Sequence, residues 1–130
     1  MIAGRHGKII NVAAGVLNER VSLGDSPYCA SKAGVIKFTR QLAAEVRRFG
    51  INVNALDPGA VKTSMAAQFE LNEETKQWLM RQQAVDEELR FRSPEEIVPI
   101  LTFLASDESR AINGRFLQVT SRDSPKYLQL

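Results

Sequence analysis

The stretch "SPYCASKAG", residues 26–34, combines a helix start with a closely spaced tyrosine and lysine. Ser26 can cap the helix, and Pro27 suits the first helical position because the nitrogen there needs no hydrogen-bond partner. Apolar residues then recur at steps of three and four until Gly50, a residue typical of helix ends. The pattern therefore predicts one long helix over residues 28–49.

This predicted helix is amphipathic. Its charged residues, among them Lys37, Arg40 and Glu45, fall mainly on one side. We expect the other side to pack against the rest of the protein. That apolar side consists of Ala33, Ile36, Phe38, Leu42, Ala43, Val46 and Phe49.

Three short apolar segments predict β-strands, and helical segments separate them. The first two are "KIINV" with the small residues after it, at about 8–13, and "INVNAL", at about 51–56, which an Asp-Pro-Gly turn follows. The third, "RFLQVT", lies at about 115–120 after an Asn-Gly turn. Strands that alternate with helices favour right-handed crossovers, so the sequence predicts an α/β fold with a parallel sheet and flanking helices.

The stretch "SPEEIVPILTFLAS", residues 93–106, predicts a further helix. Ser93 and Glu96 have the spacing of a capping box, and a proline occupies the first helical position between them. Pro99 falls in the second turn, where we expect it to distort the helix slightly.

The rest of the chain is less regular. Residues 60–91 predict one or two helices, one of which begins near Asn72 with acidic residues in its first turn. The polar end, residues 121–130, is expected to form a loose tail. Because a length of 130 residues suits one domain and no linker or repeat is visible, we expect a single domain over residues 1–130.

The composition is that of a soluble globular protein, with 44% hydrophobic and 25% charged residues. Seventeen Lys and Arg against fifteen Asp and Glu give a net charge of +2, which favours neither a nucleic-acid nor a membrane partner. No apolar run approaches the roughly 20 residues of a membrane span, and the first ten residues lack the apolar core of a secretion signal. A single cysteine, Cys29, suits a reducing compartment, so we expect a cytoplasmic protein.

Tyr28 and Lys32 are four residues apart, so a helix places them on one face of its first turns. A phenol with an ordinary pKa of about 10 is a poor base at neutral pH, but a nearby cation favours the phenolate and lowers that pKa. Such a pair could exchange a proton with an alcohol or a carbonyl. The same spacing also suits an ordinary surface tyrosine and lysine on an amphipathic helix, and by itself it leaves both interpretations open.

The order of several segments is more specific than that pair. "KIINV", "YCASKAG", "NVNALDPGAVKT" and "NGRFLQV" together resemble the short-chain dehydrogenase/reductase family, from about Gly7 to Val119. The chain is similar to the C-terminal half of the family's domain. The resemblance implies part of a Rossmann-like, doubly wound parallel sheet.

The resemblance also implies an activity: an NAD(P)-dependent oxidoreductase that transfers a hydride between nicotinamide and an alcohol or carbonyl substrate. Tyr28 would exchange the hydroxyl proton of the substrate, and Lys32 would lower the pKa of Tyr28 and hydrogen-bond the nicotinamide ribose. Thr63 would meet the carboxamide of the cofactor. The implied cofactor-binding residues are Tyr28, Lys32, Pro58, Gly59, Val61 and Thr63, and no metal is implied.

Residues 64–91 correspond to the variable segment that covers the substrate in this family. Their large apolar side chains either line a pocket or pack a helix against the sheet. These side chains are Met65, Phe69, Trp78, Leu79 and Met80.

The sequence departs from the family's pattern in two ways that bear on catalysis. Ala13 and Ala14 stand where the family usually has small hydroxyl residues, one of which orients the substrate oxygen. A methyl group cannot donate that hydrogen bond, and only Ser22 or Ser26 could replace it. The Gly-rich turn that binds the cofactor diphosphate is also absent, as is the residue that selects NAD or NADP.

Two hypotheses follow. In the first, the chain serves an NAD(P)-dependent oxidation or reduction of a small alcohol or carbonyl compound. In the second, it is a truncated, catalytically inactive relative that survives as a folded or association module. In either case we expect a homo-oligomer formed through helix 28–49, and the edge of the first strand is a further surface open to pairing.

Overall fold

A computed structural model describes residues 1–15, 25–59, 61–64 and 92–119. The predicted helix near Asn72, the tail 121–130 and nearly all of the segment 64–91 lie outside these residues. The regular elements are β1 (Gly7–Val12), α1 (Ser26–Val46), β2 (Ile51–Asp57), α2 (Val98–Ala105) and β3 (Phe116–Gln118). Single 3₁₀ turns occupy Arg47–Phe49, Pro94–Glu96 and Asp107–Ser109.

The three strands form one parallel sheet with β2 in the middle. Gly7 pairs with Ile51 at one end of β1 and Val12 with Leu56 at the other. β1 and β2 are joined through α1, and β2 and β3 through a segment that includes α2, so strands and helices alternate as the sequence predicts. Because α1 and α2 pack on opposite faces of the sheet, the expected right hand does not hold for both crossovers through these helices. The α/β, doubly wound parallel fold is therefore confirmed.

The strand boundaries differ slightly from the predicted ones. β1 begins and ends one residue early, and β3 is only three residues long where six were expected. Backbone hydrogen bonds from Ala55 N to Arg115 O and from Val119 N to Asp57 O, at 2.8 and 2.9 Å, extend the pairing of β3 with β2 beyond these three residues. At the first predicted residue of this strand, the N–H of Arg115 donates to the side chain of Asn54, and only its carbonyl bonds to the backbone of β2.

Alternate residues of each strand face opposite helices, as strand geometry requires. On the α1 side, Ile9 and Val53 pack with Ala43, and Ala55 packs with Ile36. On the α2 side the buried cluster is Leu56, Ile97 and Leu104, with Ile10 and Leu117 packed against it. Both faces of the sheet are therefore covered, which is the condition under which short parallel sheets are stable.

The helix α1 begins and ends near the predicted residues, but its cap and one core residue differ. Asp25 is the N-cap, it makes no side-chain capping bond, and Ser26 is already helical, so the expected Ser26 cap is wrong. The helix gives way to a 3₁₀ turn that Gly50 ends in the left-handed conformation, φ 68°, as predicted.

The prediction that Phe38 lies in the buried face of α1 is also wrong, since 57% of its surface is exposed. Ile36, Thr39 and Ala43 are the buried residues of the helix. The Thr39 hydroxyl can be buried because it donates to Val35 O at 2.8 Å and accepts from Asn11 Nδ2 at 2.9 Å. Counting apolar residues favoured Phe38, but the register of the helix places a hydrogen-bonded threonine against the sheet.

The predicted helix 93–106 is two elements. Ser93 and Glu96 form the expected capping box, with Ser93 N donating to Glu96 Oε2 at 2.8 Å. The 3₁₀ turn over Pro94–Glu96 ends at Ile97, and α2 begins at Val98. Pro99 therefore lies in the first turn of α2, where a missing N–H costs no hydrogen bond. No helix among the described residues is both long and apolar enough to span a membrane.

Three asparagines fix the loop before β3 to the central strand. Asn54, 1% exposed, donates to Ile112 O and accepts from Arg115 N, both at 3.0 Å. Asn52 donates to the carbonyls of Arg110 and Ile112 at 3.0 Å. Asn113 accepts from the backbone N–H of Val53 at 2.8 Å. These side chains satisfy loop and strand groups that have no regular strand partner, and so they set where β3 starts.

Replacing Asn54 by alanine should destabilise the fold strongly, because Arg115 N would lose its partner inside the protein and Ile112 O would lose one of its two side-chain donors. We expect the free energy of unfolding to fall by about 2–4 kcal/mol in chemical denaturation. Gln41→Ala is the control: it removes an exposed amide–carboxylate bond within α1 and should change stability by less than about 0.5 kcal/mol. Equal effects of the two substitutions would contradict the role given to Asn54.

Candidate active site

The first turn of α1 lies at the carboxyl ends of β1 and β2. Ala13 N donates to Leu56 O at 2.8 Å, which carries the pairing of these strands one residue past Val12. Lys32 Nζ donates to the carbonyl of Val12 at 3.1 Å. Because ligands of open parallel sheets bind beyond the carboxyl ends of the strands, this edge is the candidate active site.

Tyr28 and Lys32 lie on one face of α1, as their spacing predicts. Lys32 Nζ is 5.8 Å from the centroid of the Tyr28 ring, and 49% of the Tyr28 surface is exposed. The lysine is half-buried and is directed to the end of β1 by its bond to Val12 O. The helix and the strand thus hold an accessible phenol and an ammonium group side by side.

The electrostatic surroundings of Tyr28 raise the pKa of its hydroxyl above 10.0. Burial of part of the side chain is the largest cause, and the negative charges of Asp57 and Asp25 follow, with a smaller effect of Cys29. The lowering of this pKa by Lys32 that the resemblance implies is not seen in the chain as it stands. The physical reason is that desolvation and two carboxylates oppose the phenolate, while the ammonium is bound to a carbonyl.

A tight turn follows β2 at Pro58 and Gly59, two of the predicted cofactor-binding residues. The backbone N–H of Gly59 donates to Asp57 Oδ1 at 2.9 Å, and the other carboxylate oxygen accepts from Gln118 Nε2 at 3.3 Å. Gly59 has a φ of 69°, which favours glycine. A Cβ there would also lie 2.7 Å from Nη1 of Arg92, so the position accepts no larger residue without movement.

The other two predicted cofactor residues differ in exposure. Val61 is half-buried and packs against the Leu56 cluster on the α2 side of the sheet. Thr63 is exposed. The backbone of Val61 forms an isolated parallel bridge with Arg92, and Lys62 N donates to Arg92 O at 2.9 Å. This bridge holds the segment after the turn against the residue that precedes the capping box.

Ala13 and Ala14, which stand where the family usually has small hydroxyl residues, differ in burial. Ala13 is 3% exposed and packs with Ile36 and Ala55, so its methyl group belongs to the core. Ala14 follows it at the end of β1 and is half-buried. Of the two serines that could replace the hydroxyl, Ser26 is exposed on the first turn of α1, and Ser22 lies outside the described residues.

Two charged residues of this edge are not among the predicted site residues. In the sequence Asp57 belongs to a turn signal, but the last residue of a buried parallel strand is expected to lie at the site. That position was the signal that could have identified it. Arg92 gave no such signal, because its place beside Gly59 depends on a pairing between residues that are distant in sequence.

Comparisons with known proteins agree with the geometry. A family model described as enoyl-(acyl carrier protein) reductase matches residues 1–121. The chain is 39% identical over 119 residues to the 3-oxoacyl-(acyl-carrier-protein) reductase FabG of Rickettsia bellii, covering 92% of this chain and 47% of that protein.

Solved structures give the same result. The chain matches an actinorhodin polyketide ketoreductase variant with NADPH at a TM-score of 0.75 and 32% identity, covering 92% of this chain and 48% of that one. It matches a gluconate 5-dehydrogenase from Burkholderia cenocepacia, in complex with NADP and tartrate, at 0.74 and 32%, covering 91% and 45%. The chain spans about half the length of the relatives it matches.

The raised pKa of Tyr28 can be measured directly. The phenolate absorbance of the folded chain, minus that of Tyr28→Phe to remove the contribution of Tyr127, should titrate with a midpoint above 10.0. Asp57→Asn should lower this midpoint without removing the whole shift, because burial is the larger cause. Tyr28 loses its proton at a lower pH in the unfolded chain than in the folded chain. The stability that this difference contributes to the fold is therefore present below pH 10.0 and is lost as the pH rises through the folded pKa. A midpoint below 10.0 in the wild-type chain would show that Lys32 dominates instead.

Proposed function

Because the chain belongs to the short-chain dehydrogenase/reductase family, we propose that it serves an NAD(P)-dependent oxidoreductase acting on an alcohol or carbonyl compound. The observation that carries this proposal is the position of Lys32, held by the Val12 carbonyl beside the exposed ring of Tyr28. This arrangement supports a proton-donating phenol beside a cation at the carboxyl edge of the sheet. The nicotinamide ring, when bound, supplies or accepts the hydride.

The residues present fit the nicotinamide half of such a cofactor. An ammonium group has three donors, and Lys32 uses one of them on Val12 O, which leaves two for ribose hydroxyls. Pro58, Gly59, Val61 and Thr63 would hold the ring and its carboxamide from the side of β2. For the adenosine half, no Gly-rich turn is present in the sequence, and the chain leaves the choice of NAD or NADP open.

Tyr28 would act as the proton donor of the site. Partial burial and the charge of Asp57 raise the pKa of its hydroxyl, so the group stays protonated at neutral pH. A protonated phenol can give its proton to the oxygen of a carbonyl as the carbon accepts a hydride. The surroundings of Tyr28 therefore support reduction of a carbonyl more than oxidation of an alcohol in the neutral range.

A second candidate function rests on Ala13 and Ala14. Without a hydroxyl at this strand end, the substrate oxygen loses a donor, which typically costs on the order of 100- to 1,000-fold in rate. This observation supports a catalytically inactive relative that acts as a folded or association module. In the first function Tyr28 takes part in turnover. In the second it is only a surface residue of α1.

Activity measurements on variants of the chain separate these two functions. The binding of NADH and of NADPH to each variant is followed by fluorescence. If the chain supports catalysis, Tyr28→Phe should lower the rate of ketone reduction by about 10²- to 10⁴-fold, because the proton donor is removed. Ala14→Ser should raise the rate by on the order of 10²- to 10³-fold, because the hydroxyl restores a donor at the strand end. Absence of both cofactor binding and turnover in all three proteins would favour the association module.

We also propose that the chain forms a homo-oligomer through helix 28–49 and works in the cytoplasm. The exposed ring of Phe38 supports the first part, since a large apolar side chain on the solvent face of a helix gains free energy when a second copy covers it. The single free thiol of Cys29 supports a reducing compartment.

Phe38→Ser should therefore shift the assembly towards monomers by at least tenfold in the dissociation constant, measured by sedimentation. Burial of an aromatic side chain contributes about 1.5–3 kcal/mol, and a factor of ten corresponds to about 1.4 kcal/mol. Lys37→Ser, a change of an exposed neighbour on the same helix, is the control. A wild-type chain that sediments as a monomer at every concentration would contradict the proposal.

A further inference from the structure

Arg92 is fixed in position from both sides. Its carbonyl accepts from Lys62 N at 2.9 Å, and its backbone bridges to Val61. The capping box of Ser93 and Glu96 begins at the next residue and holds the chain in a defined turn. The backbone of Arg92 is therefore held in place, although the residue lies outside the regular helices and strands.

The guanidinium group of Arg92 lies against the turn after β2. Its Nη1 is 2.7 Å, and its Cζ 3.9 Å, from the point where a Cβ on Gly59 would lie. The carbonyl oxygen of Val119 is 3.3 Å from the same point. Gly59 thus leaves room for the guanidinium at the carboxyl edge of the sheet, between the ends of β2 and β3.

This guanidinium has no hydrogen-bond or ion-pair partner among residues 1–15, 25–59, 61–64 and 92–119, although the residue is half-buried. The nearest acidic group on the turn, Asp57, is already engaged by Gly59 N and Gln118 Nε2. A guanidinium without a partner, on a half-buried residue, favours an anion that can accept two parallel hydrogen bonds.

We propose that Arg92 binds an anionic group, a carboxylate or a phosphate, of the ligand that occupies the proposed active site. The proposal rests on the proposed function in that this ligand is taken to be its substrate or its cofactor. A carboxylate would make the substrate a hydroxy or keto acid, and a phosphate would belong to the cofactor. Arg92 would then determine which ligand is accepted, and Gly59 would be required because any larger residue displaces the guanidinium.

The test uses the folded chain with tartrate and with inorganic pyrophosphate as probes, and follows the backbone amides of Gly59 and Val119 by NMR. The wild-type chain should bind at least one probe saturably, with shifts at these two amides. Arg92→Gln should weaken that binding about tenfold or more, and Arg92→Lys should weaken it less, since charge is kept and the planar fork is lost. Preference for tartrate assigns the site to a substrate acid, and preference for pyrophosphate assigns it to the cofactor.

Arg110→Gln is the matched control, because it removes one exposed positive charge near the amino end of β2, beside Gly50, Ile51 and Asn52. Equal losses in the two glutamine variants, or no saturable binding of either probe, would overturn the proposal. So would a much larger fall in unfolding free energy for Arg92→Gln than for Arg110→Gln, because Arg92 would then pair with a side chain of the protein.

Anion binding is read without turnover, so the two proposals can fail separately. An inactive chain that binds a probe through Arg92 would contradict the proposed catalysis alone. An active chain whose ligand affinities are unchanged in Arg92→Gln would contradict only the role of Arg92.

Discussion

The parallel pairing of β2 with a strand on each edge is the constraint on which the other features depend. β2 is buried over most of its length, and residues at both of its ends hold neighbouring segments in place. At its carboxyl end, Leu56 O fixes Ala13 and thereby the strand end to which Lys32 is bound, and Asp57 shapes the following turn. At its amino end, asparagine side chains attach the loop that leads into β3. Since both faces are covered by helices, these groups have little freedom to move relative to one another.

The charges at the carboxyl edge act on the pKa of Tyr28 in opposite directions. Their net effect raises this pKa, whereas a tyrosine–lysine pair alone suggests a lowered one. The ammonium of Lys32 is drawn towards a backbone carbonyl, while Asp57 and Asp25 act on the phenol with burial. These surroundings raise the pKa of Tyr28 and so favour its protonated form. A bound ribose that competes with Val12 O for the ammonium would alter that balance, so the proton affinity of the phenol depends on what occupies the site.

Much of the fold could be predicted from the sequence, because local signals determine it. The β-branched runs, the capping box before Ile97 and the left-handed Gly50 all act within a few residues, and the structure contains each of them. The errors arise where distant contacts decide. Phe38 is exposed because the register of α1 against the sheet favours Thr39, whose hydroxyl accepts a hydrogen bond from Asn11 Nδ2. The order of motifs identified the family, but the place of Arg92 beside Gly59 depends on residues distant in sequence and is contained in no local pattern.

The loop before β3 has a consequence for the chemical ageing of the protein. Asn113-Gly114 is the kind of dipeptide in which the glycine nitrogen readily attacks the asparagine side chain, forming a succinimide that hydrolyses to aspartate or isoaspartate. Here Gly114 N donates to Val53 O at 2.8 Å, and the Asn113 side chain accepts from Val53 N and donates to Ala43 O at 3.4 Å. Both reacting groups are thus held by the sheet and α1, and attack requires this corner to open. The fraction of molecules deamidated at Asn113 would therefore reflect how often this corner of the sheet opens.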